Sequence, residues 1–269
     1  MIAPMLCQPA DRLPVGDDWV YELKYDGARA LVALDPHSGR GHVYARDGTD
    51  ISASFPEIAN PGKVPEACLL DGELVCWDAD GHPDFARLSR RLHSRQAWLV
   101  TAIPVCFVAF DVLCVGQKWL TQLPWMQRRV VLASLCPAQA DHPHLRKSLR
   151  FEDGAALWAA VVHDGLEGVV AKRRASPYQP GKRSADWKKI KAFKEAVVTV
   201  DAYEDNPAGI TAIRSADNFR VQVASHNGTR LRALLDTGPQ PINIQYLEET
   251  ADGRYRSPTY RGLATIQGG

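Results

Sequence analysis

Short strand-like runs, each closed by turn residues, recur along most of the chain and limit its fold more than any other feature. Trp19 to Leu23 runs into a turn that ends at Gly27. Ala28 to Leu34 alternates as a strand, Pro36 to Gly41 turns, and His42 to Ala45 returns to a second turn at Arg46-Asp47-Gly48. Ala67 to Trp77 reads as two strands around a turn at Asp71-Gly72. Ile103 to Val115 reads as a continuously apolar buried strand, and Gly165 to Ala171 as another strand. Helical periodicity is confined to Phe85 to Trp98, Trp125 to Leu135 and Gly154 to His163. Residues 1–18 contain three prolines and no periodicity, so they read as a lead-in loop. This mixture predicts an α+β fold.

The pattern shifts near Phe193. Beyond it, alternating strands are expected at Ala196 to Tyr203, Phe219 to Ala224, Arg230 to Leu235 and Ile242 to Leu247. Turn clusters at Asn206 to Gly209 and His226 to Gly228 separate them. Roughly 75 residues of short strands suit a small β-barrel. The expected division is therefore 1–192 and 193–269, with no repeats and no long linker.

Hydrophobic residues make up 45% of the 269 and charged residues 23%, as in an ordinary soluble globular protein. The net charge of +1 gives no global sign of a nucleic-acid partner, so any such sign lies in where the charges fall. They concentrate late in the first part. Lys172, Arg173, Arg174, Lys182, Arg183, Lys188, Lys189 and Lys191 are opposed there only by Asp186. The six cysteines contain no CxxC pair, and Cys68, Cys76, Cys106 and Cys114 lie in apolar runs. They read as reduced core residues of a cytosolic protein. The chain shows no signal-peptide pattern and no apolar run of membrane length, so no membrane partner and a cytoplasmic location are expected.

One lysine is out of place. Lys24 follows the Trp19 to Leu23 run directly, where strand chemistry favours β-branched and aromatic residues. By itself it reads as a surface lysine beside a turn. Six short patterns in order change that reading. They are Glu22-x-Lys24-x-Asp26-Gly27-x-Arg29, Tyr44-Ala45-Arg46-Asp47-Gly48 and Leu70-Asp71-Gly72-Glu73-Leu74, then Phe107-x-x-Phe110-Asp111, Glu167-Gly168-Val169-Val170-Ala171-Lys172 and Trp187-Lys188-Lys189-Ile190-Lys191. Any one is weak; six in order are specific. The chain resembles the covalent nucleotidyltransferases: ATP-dependent DNA ligases, RNA ligases and mRNA capping enzymes. Residues 167–191 are most similar to the small bacterial ATP-dependent ligases and to the ligase domain of bacterial end-joining ligases.

The resemblance implies a two-sheet, ATP-grasp-like nucleotidyltransferase domain followed by an OB-like barrel. It implies Lys24 as the nucleophile that takes AMP from ATP. Lys189 and Lys191, two apart on a strand and so on one face, would grip the α-phosphate. Glu73 and Glu167 would accept from a ribose hydroxyl or hold Mg²⁺ or Mn²⁺. Glu22 would read the adenine edge, and Lys172 would complete the nucleotide site. Phe107 is the expected stacking aromatic, with Phe110 the alternative. Arg29 and Arg46 would handle ribose and the 5′-phosphate of a nick, where a guanidinium fork suits an anion. Arg87, Arg90, Arg91 and Arg95 form one basic helix face, which would follow a phosphate backbone or simply be solvated. Lys182 and Arg183 are further DNA candidates.

One departure stands near the C-terminus. Where the family carries R-x-D-K, this sequence has Ala264-Thr265-Ile266-Gln267. The implied function is sealing of 5′-phosphate, 3′-hydroxyl nicks in duplex DNA by a monomeric, stand-alone enzyme with possible repair or end-joining partners. The alternatives are RNA ligation, GTP-dependent capping, and a nick-binding protein impaired in self-adenylation.

Overall fold

The computed structural model describes residues 2–264, apart from 38, 61–63, 93, 95, 137–143, 248 and 250–252. Two compact units, Met1–Lys191 and Ala192–Gly269, divide the chain. The first begins with β1 (Leu6–Pro9), β2 (Trp19–Leu23), β3 (Ala28–Asp35), β4 (Arg40–Ala45), α1 (Pro56–Ala59) and β5 (Cys68–Cys76). It continues with α2 (Phe85–Leu92), α3 (Trp98–Ala102), β6 (Val105–Val115), β7 (Lys118–Trp119), α4 (Trp125–Leu135) and β8 (Leu145–Lys147). Helix α5 (Gly154–His163), β9 (Gly168–Arg173) and β10 (Arg183–Lys191) complete it. No helix among the described residues is long and apolar enough to cross a membrane.

These strands form two sheets. The smaller has the order β1-β10-β9-β2; the larger runs β4-β3-β5-β6-β7, with β8 paired in parallel to β6. The lead-in is therefore not all loop. Residues 6–9 lie parallel on β10, and this carries Leu6 and Cys7 to the site described below. Asp71-Gly72 is likewise no turn: β5 runs straight through it, with a register shift against β6. Asp71 is fully buried, and its carboxylate is bound by Arg29 and Tyr178, so it stays inside the sheet.

Helices form where apolar spacing and end chemistry agree. In α4, Trp125, Arg128, Arg129, Leu132 and Leu135 are buried, a 3–4 spacing that lays one face on the core. Two of these are arginines, each with its own partners. Arg128 binds buried Asp111 through two 2.8 Å contacts, and Arg129 donates to Ser148 Oγ at 2.8 Å. Asp153 caps α5 by accepting from the Ala156 N–H at 2.9 Å. Three of the expected core cysteines, Cys68, Cys76 and Cys106, are buried, whereas Cys114 is half-buried; all six are free thiols.

The second unit contains β11 (Lys194–Val200), β12 (Ala202–Asn206), β13 (Gly209–Arg214), β14 (Phe219–Ala224), α6 (Ser225–Leu235), β15 (Gln240–Tyr246) and β16 (Thr259–Leu263). Two three-stranded sheets, β11-β15-β16 and β12-β13-β14, share one apolar core. No pairing among the described residues closes them into a barrel. The strand expected over Ala196 to Tyr203 is two strands in different sheets. They part at Asp201, whose carboxylate accepts from the Ser215 N–H and hydroxyl at 2.9 and 2.7 Å. The strand expected at Arg230 to Leu235 is helical. Gly228, Leu231 and Leu235 are its buried positions, and that helical spacing prevails over the His226-Asn227-Gly228 turn signal.

Candidate active site

A cleft of ≈ 190 Å³ lies within the first unit, walled by both sheets. Strand β2 delivers Lys24 to it. The strand ends at Leu23, and the Lys24 N–H then donates to Gly168 O at 2.9 Å, tying the turn to β9. Two glycines permit this approach. A Cβ on Gly27 would sit 2.2 Å from Leu74 O, and one on Gly168, at φ +151°, would sit 2.1 Å from Ile190 O. No other residue fits at either point, because such contacts leave no room for a side chain. The motif glycines thus hold the lysine turn against β5 and β9 against β10.

The cations and carboxylates converge. Lys24 Nζ donates to Glu167 Oε2 at 2.5 Å, and Lys191 Nζ lies 3.6 Å from Glu167 Oε1. Across the smaller sheet, Glu22 pairs with Val170 and Val170 with Lys189, so one row carries Glu22 and Lys189 on the same face. Burial and then the charges of Lys24 and Lys191 push the pKa of Lys189 below the usual lysine range. Glu73 stands opposite Arg29 on the larger sheet. Loss of solvent pushes its carboxyl up to about 7, against the opposing pull of Arg29 and Lys24, with Glu167 adding repulsion. Glu73 and Glu167 thus give two hard oxygen donors beside Lys24. That suits Mg²⁺, which is commonly held by one or two carboxylates with phosphate oxygens and water completing the shell. Among the described residues no group of three metal-ligating side chains is present.

A buried ionic cluster also lines the cleft. Glu22 is 2% exposed; it accepts from Lys172 at 2.6 Å and Ser148 at 3.0 Å, with Arg129 at 3.7 Å. Lys172 Nζ lies 4.4 Å from the ring centre of Phe110 and 4.3 Å from that of Trp187. Arg29 grips Asp71 through two 2.6 Å bonds, donates to Met5 O at 3.1 Å and stacks 4.6 Å over Phe110. Arg46 lines the exposed mouth, together with Arg183, which donates to Cys7 O at 2.6 Å.

Two expected site residues lie elsewhere. Phe107 is fully buried in the core, whereas Phe110 lines the cleft. Three positions apart on a strand they face opposite sides, so only one can serve. Arg91 is also no surface cation. It is 1% exposed, pairs with Glu57 at 2.8 Å, and donates to the carbonyls of Ser54, Leu99 and Ile103. Arg87 spends its guanidinium on Trp77 O and Ala102 O, while Arg90 and Lys182 are exposed. Arg95 and residues 265–267 lie outside the described residues. Sequence reasoning missed Cys7, Tyr25, Arg129 and Ser148. Only Tyr25 lay within the patterns; the others reach the site through sheet pairing and helix packing.

With this geometry in view, comparison with known proteins is specific. The family model for the ATP dependent DNA ligase domain matches residues 4–191. A Bacillus subtilis (strain 168) protein, "Bifunctional non-homologous end joining protein LigD", is 31% identical over 79% of this chain and 38% of its own length. "DNA ligase C2" of Mycolicibacterium smegmatis is 32% identical over 80% of this chain and 60% of its own. The chain therefore spans less than two thirds of these relatives. The solved structure "mycobacterial DNA ligase D complexed with ATP and MES" superposes with a TM-score of 0.65 at 25% identity, covering 99% of this chain and 96% of that one. The lysine turn, the paired glutamates and the twin lysines of β10 all fall inside the matched segment, and the chain belongs to the ATP-dependent DNA ligase domain family.

Proposed function

We propose that the protein is an ATP-dependent DNA ligase that seals 5′-phosphate, 3′-hydroxyl nicks in duplex DNA through AMP carried on Lys24. The observation that carries this reading is Lys24 Nζ fixed by Glu167, with Lys191 3.6 Å from the same carboxylate. Glu167 orients the amine toward a phosphorus brought in line, and positioning of this kind supplies much of the rate in phosphoryl transfer. Lys189 and Lys191 grip the α-phosphate. The Lys24 Nζ proton passes to Glu167, which already accepts it as a hydrogen bond, and the Nζ–phosphorus bond forms as the bond to pyrophosphate breaks. Glu22 and Lys172 close the base end, Phe110 stacks on adenine, and Arg29 and Arg46 handle the ribose and the 5′-phosphate. When bound by Glu73 and Glu167, Mg²⁺ or Mn²⁺ would neutralise charge on the phosphates.

Residues 1–192 act in this reading as the adenylation domain. The second unit serves as an OB-like module, a view supported by its two short sheets around one core. The enzyme works as a cytoplasmic monomer, and end-joining or repair proteins are its partner class. A nick-binding protein impaired in self-adenylation is the second reading, favoured by Ala264-Thr265-Ile266-Gln267 in place of R-x-D-K. Incubation with radiolabelled ATP and Mg²⁺ separates the two. Covalent label on the wild type, absent from Lys24→Ala, supports the enzyme. An unlabelled wild type that still binds nicked duplex supports the binder.

A further inference from the structure

The strand row that brings Arg29 and Glu73 to the cleft continues beyond it. On the larger sheet, Arg29 pairs with Glu73, Glu73 with Val108, and Val108 with Arg146 on β8. Arg46 follows the Ala30–Ala45 pair by one residue and so stands in line with Arg29. One row across five strands therefore reads Arg46, Arg29, Glu73, Val108, Arg146. Strand spacing puts Arg146 about 9–10 Å beyond Glu73 and roughly 19 Å from Arg46.

The row's far end is built and unused. Val75, Cys106 and Val108 form a buried apolar floor, against which the Tyr25 and Trp77 rings pack edge to face at 6.1 Å. Arg146 is near enough for its charge to oppose the burial-driven rise of the Cys106 thiol pKa. Its Nε is buried without a hydrogen-bond partner, and so is Trp77 Nε1. Buried donors are nearly always satisfied in native proteins, so two orphans on one apolar floor need a reason. Three cations of the cleft are neutralised by carboxylates: Arg29 by Asp71, Lys24 by Glu167 and Lys172 by Glu22. No carboxylate among the described residues pairs with Arg146. An apolar floor, aromatic walls and an unpaired guanidinium make up the chemistry that receives a nucleotide, with its base or sugar on the rings and its phosphate on the cation.

We infer that Arg146, Trp77 and Tyr25 form a nucleotide subsite that holds the 3′-hydroxyl strand of the nick, with a backbone phosphate of that strand on Arg146. This rests on the ligase reading, because Arg46 and the lysines of β10 take the 5′-phosphate side and leave the opposite end of the row to the other strand.

The test measures affinity for nicked duplex by fluorescence anisotropy over a salt series. It uses DNA carrying single uncharged methylphosphonate linkages near the nick, in either strand. Arg146→Ala is expected to weaken binding about tenfold and to reduce the slope of log K against log salt by about 0.9. Arg146→Lys should recover most of the affinity, which excludes misfolding as the cause. Wild-type protein should lose a similar factor when a linkage close to the nick in the 3′-hydroxyl strand is neutralised, and Arg146→Ala should be indifferent to that change. Unchanged binding by Arg146→Ala overturns the subsite alone. Arg146→Ala that stays sensitive to the neutral linkage, or coupling to the 5′-phosphate strand instead, overturns its strand assignment. A wild type that does not distinguish nicked from intact duplex overturns the ligase reading and the subsite with it.

Discussion

Substituting Arg91 separates a surface DNA contact from an internal clamp. The side chain is 1% exposed and its partner Glu57 is 6% exposed. Arg91→Ala leaves Glu57 buried without its cation and removes the donor to the carbonyls of Ser54, Leu99 and Ile103. It also removes the guanidinium from over the Phe55 ring, 5.2 Å away. Breaking one side of a buried pair costs about 3–5 kcal/mol, mostly through the charge left behind. Arg91→Met together with Glu57→Leu removes both charges and should recover a large part of that loss, leaving only the unpaired carbonyls. Urea unfolding is the assay. All seven tryptophans precede residue 192, so their fluorescence reports the first unit alone. At matched stability, the salt dependence of nicked-DNA binding should not change. An Arg91→Ala protein within about 1 kcal/mol of wild type that also binds nicked DNA with a shallower salt slope would refute the clamp.

Lys24→Ala should abolish covalent labelling by ATP while retaining part of the sealing of pre-adenylated nicks, measured on denaturing gels; equal loss of both sinks the nucleophile assignment. Glu73 should make the first unit less stable as pH rises. Folding raises its pKa from 4.5 to about 7, so its favourable contribution is complete below 4.5 and lost by about 7. Glu73→Gln should therefore flatten unfolding free energy between those pH values by up to about 3 kcal/mol while abolishing sealing; an unchanged pH profile counts against the burial argument. Phe110→Ala should raise the KM for ATP by roughly tenfold, as loss of a stacked base does, whereas Phe107→Ala should cost about 3–5 kcal/mol of stability. The reverse pattern in the two variants would restore Phe107 as the stacking residue. Ala264→Arg with Ile266→Asp and Gln267→Lys should speed self-adenylation by on the order of a hundredfold, as one added phosphate clamp would. No gain in a single-turnover labelling assay would mean that the clamp is supplied elsewhere.

The residues that converge on the cleft were legible in the sequence because their patterns are local. Lys24, Glu73, Glu167, Lys189 and Lys191 each lie in a short pattern whose glycines and alternation specify a turn or a strand face, and such patterns need no tertiary knowledge. Helices α4 and α5 were legible for the same reason, α4 from its apolar spacing and α5 from its spacing and its Asp153 cap. Tertiary structure decided what each polar group was for. Asp71-Gly72 reads as a turn until Arg29 and Tyr178, distant in sequence, bury the aspartate within a strand. Arg91 and Arg90 are neighbours with the same chemistry, yet Glu57 and three carbonyls claim one and leave the other in solvent. Phe107 and Phe110 both fit the pattern, and only the pairing of β5, β6 and β8 determines which side of the sheet borders the cleft. Arg146 stood in no motif at all. It joins the row of Arg29 and Glu73 only because β8 pairs with β6, a contact between segments nearly forty residues apart that no local periodicity encodes.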